Sequence, residues 1–506
     1  MNPLPRSLCF VFLLFGIAAS AQTSADLMIR DTSGPVISRA IYGHFSEDLG
    51  RCIYDGFWSG DHIRMDVVDA LRKIRIPVLR WPGGCFADQY HWRDGIGPRD
   101  QRKHTVNTTW GMVPDDNSFG THEFMQLCEL LGCQPYIAGN VGTGTPEEME
   151  SWLEYLNYNG HSTMADLRRQ NGRDQPWNVS YWGVGNESWG CGGNMTPEYY
   201  SDEYKRYSEF CKNYPGAPLK LIASGSNGDD YHWTETLMQH IGRGRVWGIS
   251  MHYYTLAGTW QHKGSATQFG EDEYFKALSA GLRMEDIVNR HSAIMDRYDP
   301  RKRIALVVDE WGIWTDAEPG TNPAFLYQQN SLRDALIAAS TLNIFNNHAD
   351  RIRMANLAQT VNVLQALVLT DKDRMLLTPT YYVFDLYKVH QDAHSLAIQL
   401  MSPDYSYGGG KIPAVNASAS KDSSGAVHIT LVNLDPVRRI MVRARLEAGS
   451  FRSVEGQVLT SGHFNDYNTF DQPGKIKPVA FHGAKKEGDG LAVDMPPMSV
   501  VALELR

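Results

Sequence analysis

A (β/α)8 barrel followed by a small, jelly-roll-like β-sandwich is the fold class that the sequence predicts, and three observations carry it. Eight strand-like apolar runs alternate with helix-patterned stretches, at residues 40–45, 76–81, 134–139, 181–185, 219–223, 246–252, 303–308 and 351–358. Alternation of this kind argues for parallel βα units, and eight is the number that closes a barrel. After about residue 386 the pattern changes to short alternating segments at 426–433, 440–446 and 499–505, separated by Gly, Asp and Ser turns. Finally, 506 residues with 42% hydrophobic and 11% aromatic content suffice for one large core and one smaller one.

The helical stretches carry their own signals. Thr121 is followed by Phe124, Leu127, Cys128 and Leu131 at three-four spacing, and Thr145-Pro146-Glu147-Glu148 has the form of a capping box with proline in its first turn. Glu271-Asp272-Glu273 reads as a solvated helix start. The segment 22–38 also reads as β and precedes the first barrel run, so it is expected to cross over to the C-terminal sandwich. The organisation expected is therefore a signal peptide at 1–21, a joining strand at 22–38, a catalytic barrel at 39–385 and a sandwich at 386–506.

The signal peptide rests on Arg6, an apolar run over 8–19 and the small-x-small site Ala19-Ser20-Ala21. A secreted or periplasmic protein is the expectation. The run is too short to anchor in a bilayer, and no later stretch approaches the length of a membrane span. A net charge of -9 without a basic stripe lacks the footprint of a nucleic-acid binder. Cys9 would leave with the signal, leaving Cys52, Cys85, Cys128, Cys133, Cys191 and Cys211. None has the close CxxC spacing of a zinc site, and no metal or other cofactor is expected. Buried free thiols are the first expectation for these six, one or two disulfides the alternative.

In a (β/α)8 barrel the catalytic groups sit at the C-terminal ends of the strands, so the residues just past each apolar run decide the chemistry. Taken in order, the eight runs lead into Glu47; Arg80 with Pro82-Gly83-Gly84; Asn140; Asn186-Glu187; residues 224–227; His252 and Tyr254; Asp309-Glu310-Trp311; and Gln359. Glutamates on the fourth and seventh strands would project into one pocket from opposite sides of the mouth. Such a pair suits glycoside cleavage, where one carboxyl group gives a proton to the leaving oxygen and a second attacks the anomeric carbon. Arg80 would favour the charged form of a neighbouring carboxylate, and an apolar setting would raise the pKa of the other. Asn186 is placed to hydrogen-bond a sugar hydroxyl. Trp177, Trp182, Trp189, Tyr253 and Trp260 could line outer subsites, although core packing is the commoner fate of such rings. His252 could orient Tyr254 or a carboxylate, or be structural.

The runs His44-Phe45-Ser46-Glu47, Gly50-Arg51-Cys52-Ile53-Tyr54, Arg80-Trp81-Pro82-Gly83-Gly84 and Asp94-Gly95-Ile96-Gly97-Pro98-Arg99 are long and specific. So are Gly185-Asn186-Glu187, Asp309-Glu310-Trp311-Gly312-Ile313-Trp314 and Met354-Ala355-Asn356-Leu357-Ala358-Gln359. Through them, over nearly the whole chain, the sequence resembles the α-L-arabinofuranosidases of glycoside hydrolase family 51. The resemblance implies a retaining, exo-acting enzyme that releases terminal arabinofuranose from plant polysaccharides or oligosaccharides. Glu187 would be its acid/base and Glu310 its nucleophile. It implies further that Glu47, Arg80, Asn186, Tyr254 and Gln359 bind the arabinofuranosyl unit, that Trp110 and Trp314 lie near the leaving group, and that the assembly is a homo-hexamer. Cys85 departs from the family, whose members often carry Asn after the Pro-Gly-Gly turn. Harmless packing, an altered contact with the sugar and a disulfide, for example to Cys191, all remain open for it. An endoglucanase or β-xylosidase on the same scaffold, or a non-catalytic polysaccharide-binding protein, is the alternative.

Overall fold

The computed structural model describes residues 24–242, 244–447 and 450–506. The expected signal segment 1–21, with its apolar run and Cys9, lies outside them.

Eight parallel strands close a barrel in chain order: Gly43–Phe45, Val78–Trp81, Gln134–Gly139, Tyr181–Val184, Lys220–Asn227, Gly248–Thr255, Ala305–Ile313 and Ile352–Ala358. Asn356 of the eighth strand pairs with Gly43 of the first, which completes the ring. Strands covered on both faces read as near-continuous apolar runs, and every residue of the seventh is buried. The first strand is shorter than its apolar run. Residues Arg39–Tyr42 instead form a 3-10 turn, whose Ala40 N–H is accepted by Ser38 Oγ at 3.3 Å. The fifth, sixth and seventh strands run further than expected, so Tyr254 and Glu310 lie within strands rather than beyond them.

Helices Thr121–Leu131 and Pro146–Asn157 pack outside the barrel. Thr145 Oγ1 accepts the Glu148 N–H at 3.1 Å, and Pro146 occupies the first helical position, where its missing N–H costs nothing. Glu271 opens helix Glu271–Leu282.

Helix Leu332–Asn347 is buried at every position but its last, as expected of a helix with no solvent face. One side packs on the seventh barrel strand and the other on the C-terminal sheet. Its amides bond directly to that sheet: Asn343 Nδ2 to Asn416 Oδ1 at 2.8 Å, Asn346 Nδ2 to Ser418 Oγ at 3.1 Å and Asn347 Nδ2 to the Ala417 carbonyl at 3.0 Å.

The C-terminal part is sheet-rich, its strands joined in one hydrogen-bonded order of ten. Strand Ser24–Val36 lies inside that order, antiparallel to His394–Met401 and parallel to Ile440–Glu447. Ala25, Leu27 and Ile29 alternate inward and are 2% exposed or less, while Asp26 and Arg30 face solvent. The N-terminal strand thus fills a central place in a sheet built from the far end of the chain. Ile29→Ala is expected to cost about 2–5 kcal/mol, as large-to-small changes at buried sites do. Calorimetry should find a lowered Tm, and an unchanged one would mean that this strand contributes little to the sheet.

Candidate active site

Regular alternation would send Asp309 and Glu310 to opposite faces of the seventh strand. The strand is bulged instead. Ser250 pairs with Val307 and His252 with Glu310 on one side, and Val308 pairs with Ala355 and Trp311 with Leu357 on the other. In both cases three steps on this strand match two on its neighbour, and the extra residue lets both carboxylates reach interior partners.

Those partners are two buried cations. Arg80, on the second strand, is 1% exposed and donates Nη1–H to Glu310 Oε1 at 2.8 Å and Nη2–H to Asn186 Oδ1 at 2.6 Å; its Nε lies 3.7 Å from Asp309 Oδ2. The Phe45 and Tyr136 rings flank the guanidinium, their centroids 4.5 and 5.7 Å away. Burial works against its charge, but Asp309 and Glu310 outweigh that and hold its pKa above the ordinary value. His252, on the sixth strand, has Nδ1 2.8 Å from Glu187 Oε1 and 3.6 Å from Glu310 Oε2, and Nε2 3.2 Å from Asp309 Oδ1.

Glu187 sits just beyond the fourth strand in a tight turn with φ of 38°, closed by N–H groups of Gly190 and Gly192 that donate to its carbonyl at 2.7 and 3.1 Å. Its side chain is 16% exposed. Burial raises its pKa; the hydrogen bond and charge of His252 offset this in part, and the nearby charge of Glu310 adds to it. Asp88 fixes the turn from below, accepting N–H from Val141 and Gly142 on Oδ1 at 2.8 and 2.9 Å and from Asn186 on Oδ2 at 3.2 Å. Glu310 Oε2 accepts the Tyr254 hydroxyl at 2.7 Å.

Glu47 accepts the N–H groups of Gly84 and Phe86 on Oε1 at 3.0 and 2.9 Å and the Gln359 amide on Oε2 at 3.2 Å. Burial, then the charge of Glu310, pushes its pKa up to about 7. The Trp110 side chain stands beside it. The Pro-Gly-Gly turn has no room for side chains here: a Cβ on Gly83 would stand 2.7 Å from Glu47 Cγ, and one on Gly84 2.5 Å from Glu310 Oε1. Trp314 meets Tyr254 edge-on, centroids 5.1 Å apart, and Trp260 meets Trp314 at 5.5 Å. A cleft of about 530 Å³ lined by Asn227, Tyr253, Tyr254, Trp260 and Arg283 adjoins them.

The structure therefore gathers Glu47, Arg80, Cys85, Trp110, Asn186, Glu187, His252, Tyr254, Glu310, Trp314 and Gln359 at one end of the barrel. Of the aromatic residues considered for outer subsites, Trp182 is in the core, Trp177, Trp189 and Tyr253 are half-buried, and Trp260 is 53% exposed beside Trp314. Free packing thiols prove the wrong expectation at two positions. Cys85 and Cys191 form a disulfide, because the loops after the second and fourth strands bring their Cα atoms to 5.5 Å. Cys52, Cys128, Cys133 and Cys211 are free and buried.

Sequence reasoning missed Asp309, Tyr136 and Asp88 as site residues. Asp309 pairs with both cations and accepts the Tyr136 hydroxyl at 2.7 Å. Its place beside Glu310 in the Asp309-Glu310-Trp311 run was the signal. Glu187, His252 and Glu310 each offer one potential metal ligand within 4.8 Å of the others. Both ring nitrogens of His252 are turned to carboxylates, Nδ1 to Glu187 and Nε2 to Asp309. Cys85, Glu187 and Cys191 are as close together, but the two sulfurs are bonded to each other.

The chain matches two family models, the "Alpha-L-arabinofuranosidase 1 domain" over residues 70–265 and the "Alpha-L-arabinofuranosidase C-terminal domain" over 309–499. It is 49% identical, over 98% of both chains, to an "Intracellular exo-alpha-L-arabinofuranosidase" from Bacteroides ovatus. Among solved structures it resembles the GH51 arabinofuranosidase of Xanthomonas axonopodis pv. citri at 50% identity and a TM-score of 0.95, over 96% of this chain and 100% of the other. It also resembles the alpha-L-arabinofuranosidase of Thermotoga maritima, solved as an arabinose complex, at 30% identity and a TM-score of 0.82, over 95% and 99% of the two chains. The expectation of a secreted or periplasmic protein is corrected by the Bacteroides relative, which is named intracellular. A short apolar run behind one arginine, ending in small residues, is a compositional pattern and did not suffice to establish export. By its domains, its fold and its full-length relatives, the chain belongs to the α-L-arabinofuranosidases of glycoside hydrolase family 51.

Proposed function

We propose that this arabinofuranosidase works by double displacement, with Glu310 as nucleophile and Glu187 as acid/base, on terminal arabinofuranosyl units of arabinose-containing polysaccharides or oligosaccharides. The observation that carries this reading is the separation of the two carboxyl groups, which present oxygens within 4.8 Å of one another. Retaining glycosidases hold such groups about 5–5.5 Å apart, too close for the intervening water that inverting enzymes admit at roughly 6.5–9.5 Å.

Each glutamate is oriented for its part. Arg80 and Tyr254 clamp the two oxygens of Glu310, which aims the carboxylate at an anomeric carbon. His252 occupies Oε1 of Glu187, so the acid proton belongs on Oε2 and leaves from there to the glycosidic oxygen. Once Glu310 is esterified its charge is gone, the pKa of Glu187 falls, and the same group becomes the base that activates water. Arg80 fixes the Asn186 amide with its oxygen inward; the NH2 reaches Cys191 Sγ at 4.0 Å with one hydrogen and keeps the other for a sugar hydroxyl. Glu47 and Gln359, bonded to each other, form a further polar wall for the sugar. The resemblance to the family supports a homo-hexamer, which light scattering would read, and a panel of arabinan, arabinoxylan and arabinogalactan would rank the polymers.

Glu310→Ala is expected to abolish turnover on every substrate, whatever its leaving group. Glu187→Ala should cripple substrates with poor leaving groups, spare the first step on an activated aryl arabinoside, and regain turnover with added azide. Proton NMR of the first product should show α-arabinose. An initial β-anomer would sink the double-displacement reading, and failure of azide rescue would sink the assignment of Glu187.

His252 supplies a pH-dependent test. Burial works against its cation, but Glu310, Asp309 and Glu187 outweigh burial and lift its pKa from 6.5 to about 10. A value raised in the folded state stabilises fully below the unfolded pKa, and that stabilisation is lost as pH climbs through about 10. The Tm deficit of His252→Gln should therefore be largest near pH 6 and shrink towards pH 10. A deficit independent of pH would show that the ring acts by packing alone.

A further inference from the structure

Cys85 comes directly after the Pro82-Gly83-Gly84 turn that ends the second barrel strand, and Cys191 lies four residues beyond Glu187 after the fourth. Their disulfide, across a sequence separation of 106, ties together the two loops that frame Glu187. The sulfurs of Cys191 and Cys85 stand 3.4 and 3.7 Å from Glu187 Oε2, the oxygen that His252 leaves free. A disulfide sulfur carries no hydrogen, so these contacts cover Oε2 without donating to it. As thiols, both sulfurs would be hydrogen-bond donors within reach of the same oxygen.

We propose that the Cys85–Cys191 disulfide is a redox-controlled positioning element for Glu187: closed, it sets two sulfurs without donors beside Oε2; opened by a dithiol, it turns them into two S–H donors and frees the loops it ties. The inference rests on Glu187 being the acid/base. In the opening step a thiolate of the dithiol attacks Sγ of Cys191, the exposed residue of the pair, and the S–S bond breaks as Cys85 leaves as a thiolate and takes a proton. The second thiol of the reagent then closes its own disulfide and releases Cys191. The protein gains two electrons and two protons, and the dithiol loses them. Among the described residues the four other cysteines are buried, which directs a mild dithiol to the bridge.

The direction of the effect is set by the form that the donors would favour. A hydrogen bond to the carboxylate stabilises the charged form and lowers its pKa. The other groups that face Glu187 are His252 from the sixth strand, Glu310 with Tyr254, and Arg80 from the second strand, with Asp309 behind His252. None of them changes covalently when the bridge opens. Each new S–H is such a donor. The acid would therefore lose its proton at lower pH.

The test compares oxidised and dithiol-reduced enzyme, the state of the bridge verified by thiol titration and by a mass gain of two hydrogens. The readout is kcat/KM against pH on an aryl arabinofuranoside with a poor leaving group. Reduction should move the basic limb down by about 0.5–1 unit, a roughly three- to tenfold loss of rate on that limb, and reoxidation should restore it. Cys85→Ser/Cys191→Ser, with permanent donors, should show the low limb in either redox state, and it carries the comparison if the reduced enzyme loses its fold by circular dichroism. Cys85→Ala/Cys191→Ala should not respond to dithiol. Coincident pH profiles for the open and closed bridge, or a dithiol response that persists in the double alanine variant, would overturn the proposal. Azide rescue of Glu187→Ala, measured in parallel, separates the two readings: without rescue the acid/base assignment fails, and with rescue but no shift only the redox inference fails.

Discussion

A guanidinium with 1% of its surface exposed sits at the centre of the barrel mouth and has to be neutralised there. Taking such a charge out of water costs several kcal/mol unless the partners are well placed, and removing one partner of a buried pair is worse than never having had the pair. Arg80 therefore dictates where Glu310 and Asp309 on the seventh strand and Asn186 just past the fourth must stand. Asp309 in turn holds His252, and His252 holds Glu187. The geometry of both catalytic candidates is thus inherited from one cation, and the bulge in the seventh strand is what lets two successive acids satisfy it.

Much of this arrangement was legible because barrel strands are buried on both faces and read as apolar runs without alternation. All eight runs correspond to barrel strands, and the polar residues at their ends include Glu187, Glu310 and Arg80. Strand length was less visible. The fifth, sixth and seventh strands run on through Ser226, Tyr254 and Glu310, because polar residues at a barrel mouth keep strand geometry while facing a cavity. A period of two also hides the bulge that turns Asp309 inward together with Glu310. Tyr136 and Asp88 act through single long-range bonds that no local pattern announces. The pairing of Cys85 with Cys191 depends on two loops meeting in space, so spacing along the chain left it open.

The site also shows how one wall can serve two electrostatic ends. Glu187 and Glu310 lie close enough to disfavour simultaneous charge, yet their surroundings are unequal. Glu310 is bonded at both oxygens, whereas Glu187 is bonded at one and covered by sulfur at the other. Two carboxyl groups of the same residue type are told apart by what each oxygen touches.

Helix Leu332–Asn347, enclosed on all sides, belongs as much to the C-terminal sheet as to the barrel. Its asparagines direct their amides to sheet strand Val415–Lys421, and its apolar positions back the strand that carries Glu310. A cut between the two parts would strand polar groups without partners and open apolar surface on each fragment. The sheet is consequently no detachable appendage: one helix joins it to the barrel strand that carries Glu310.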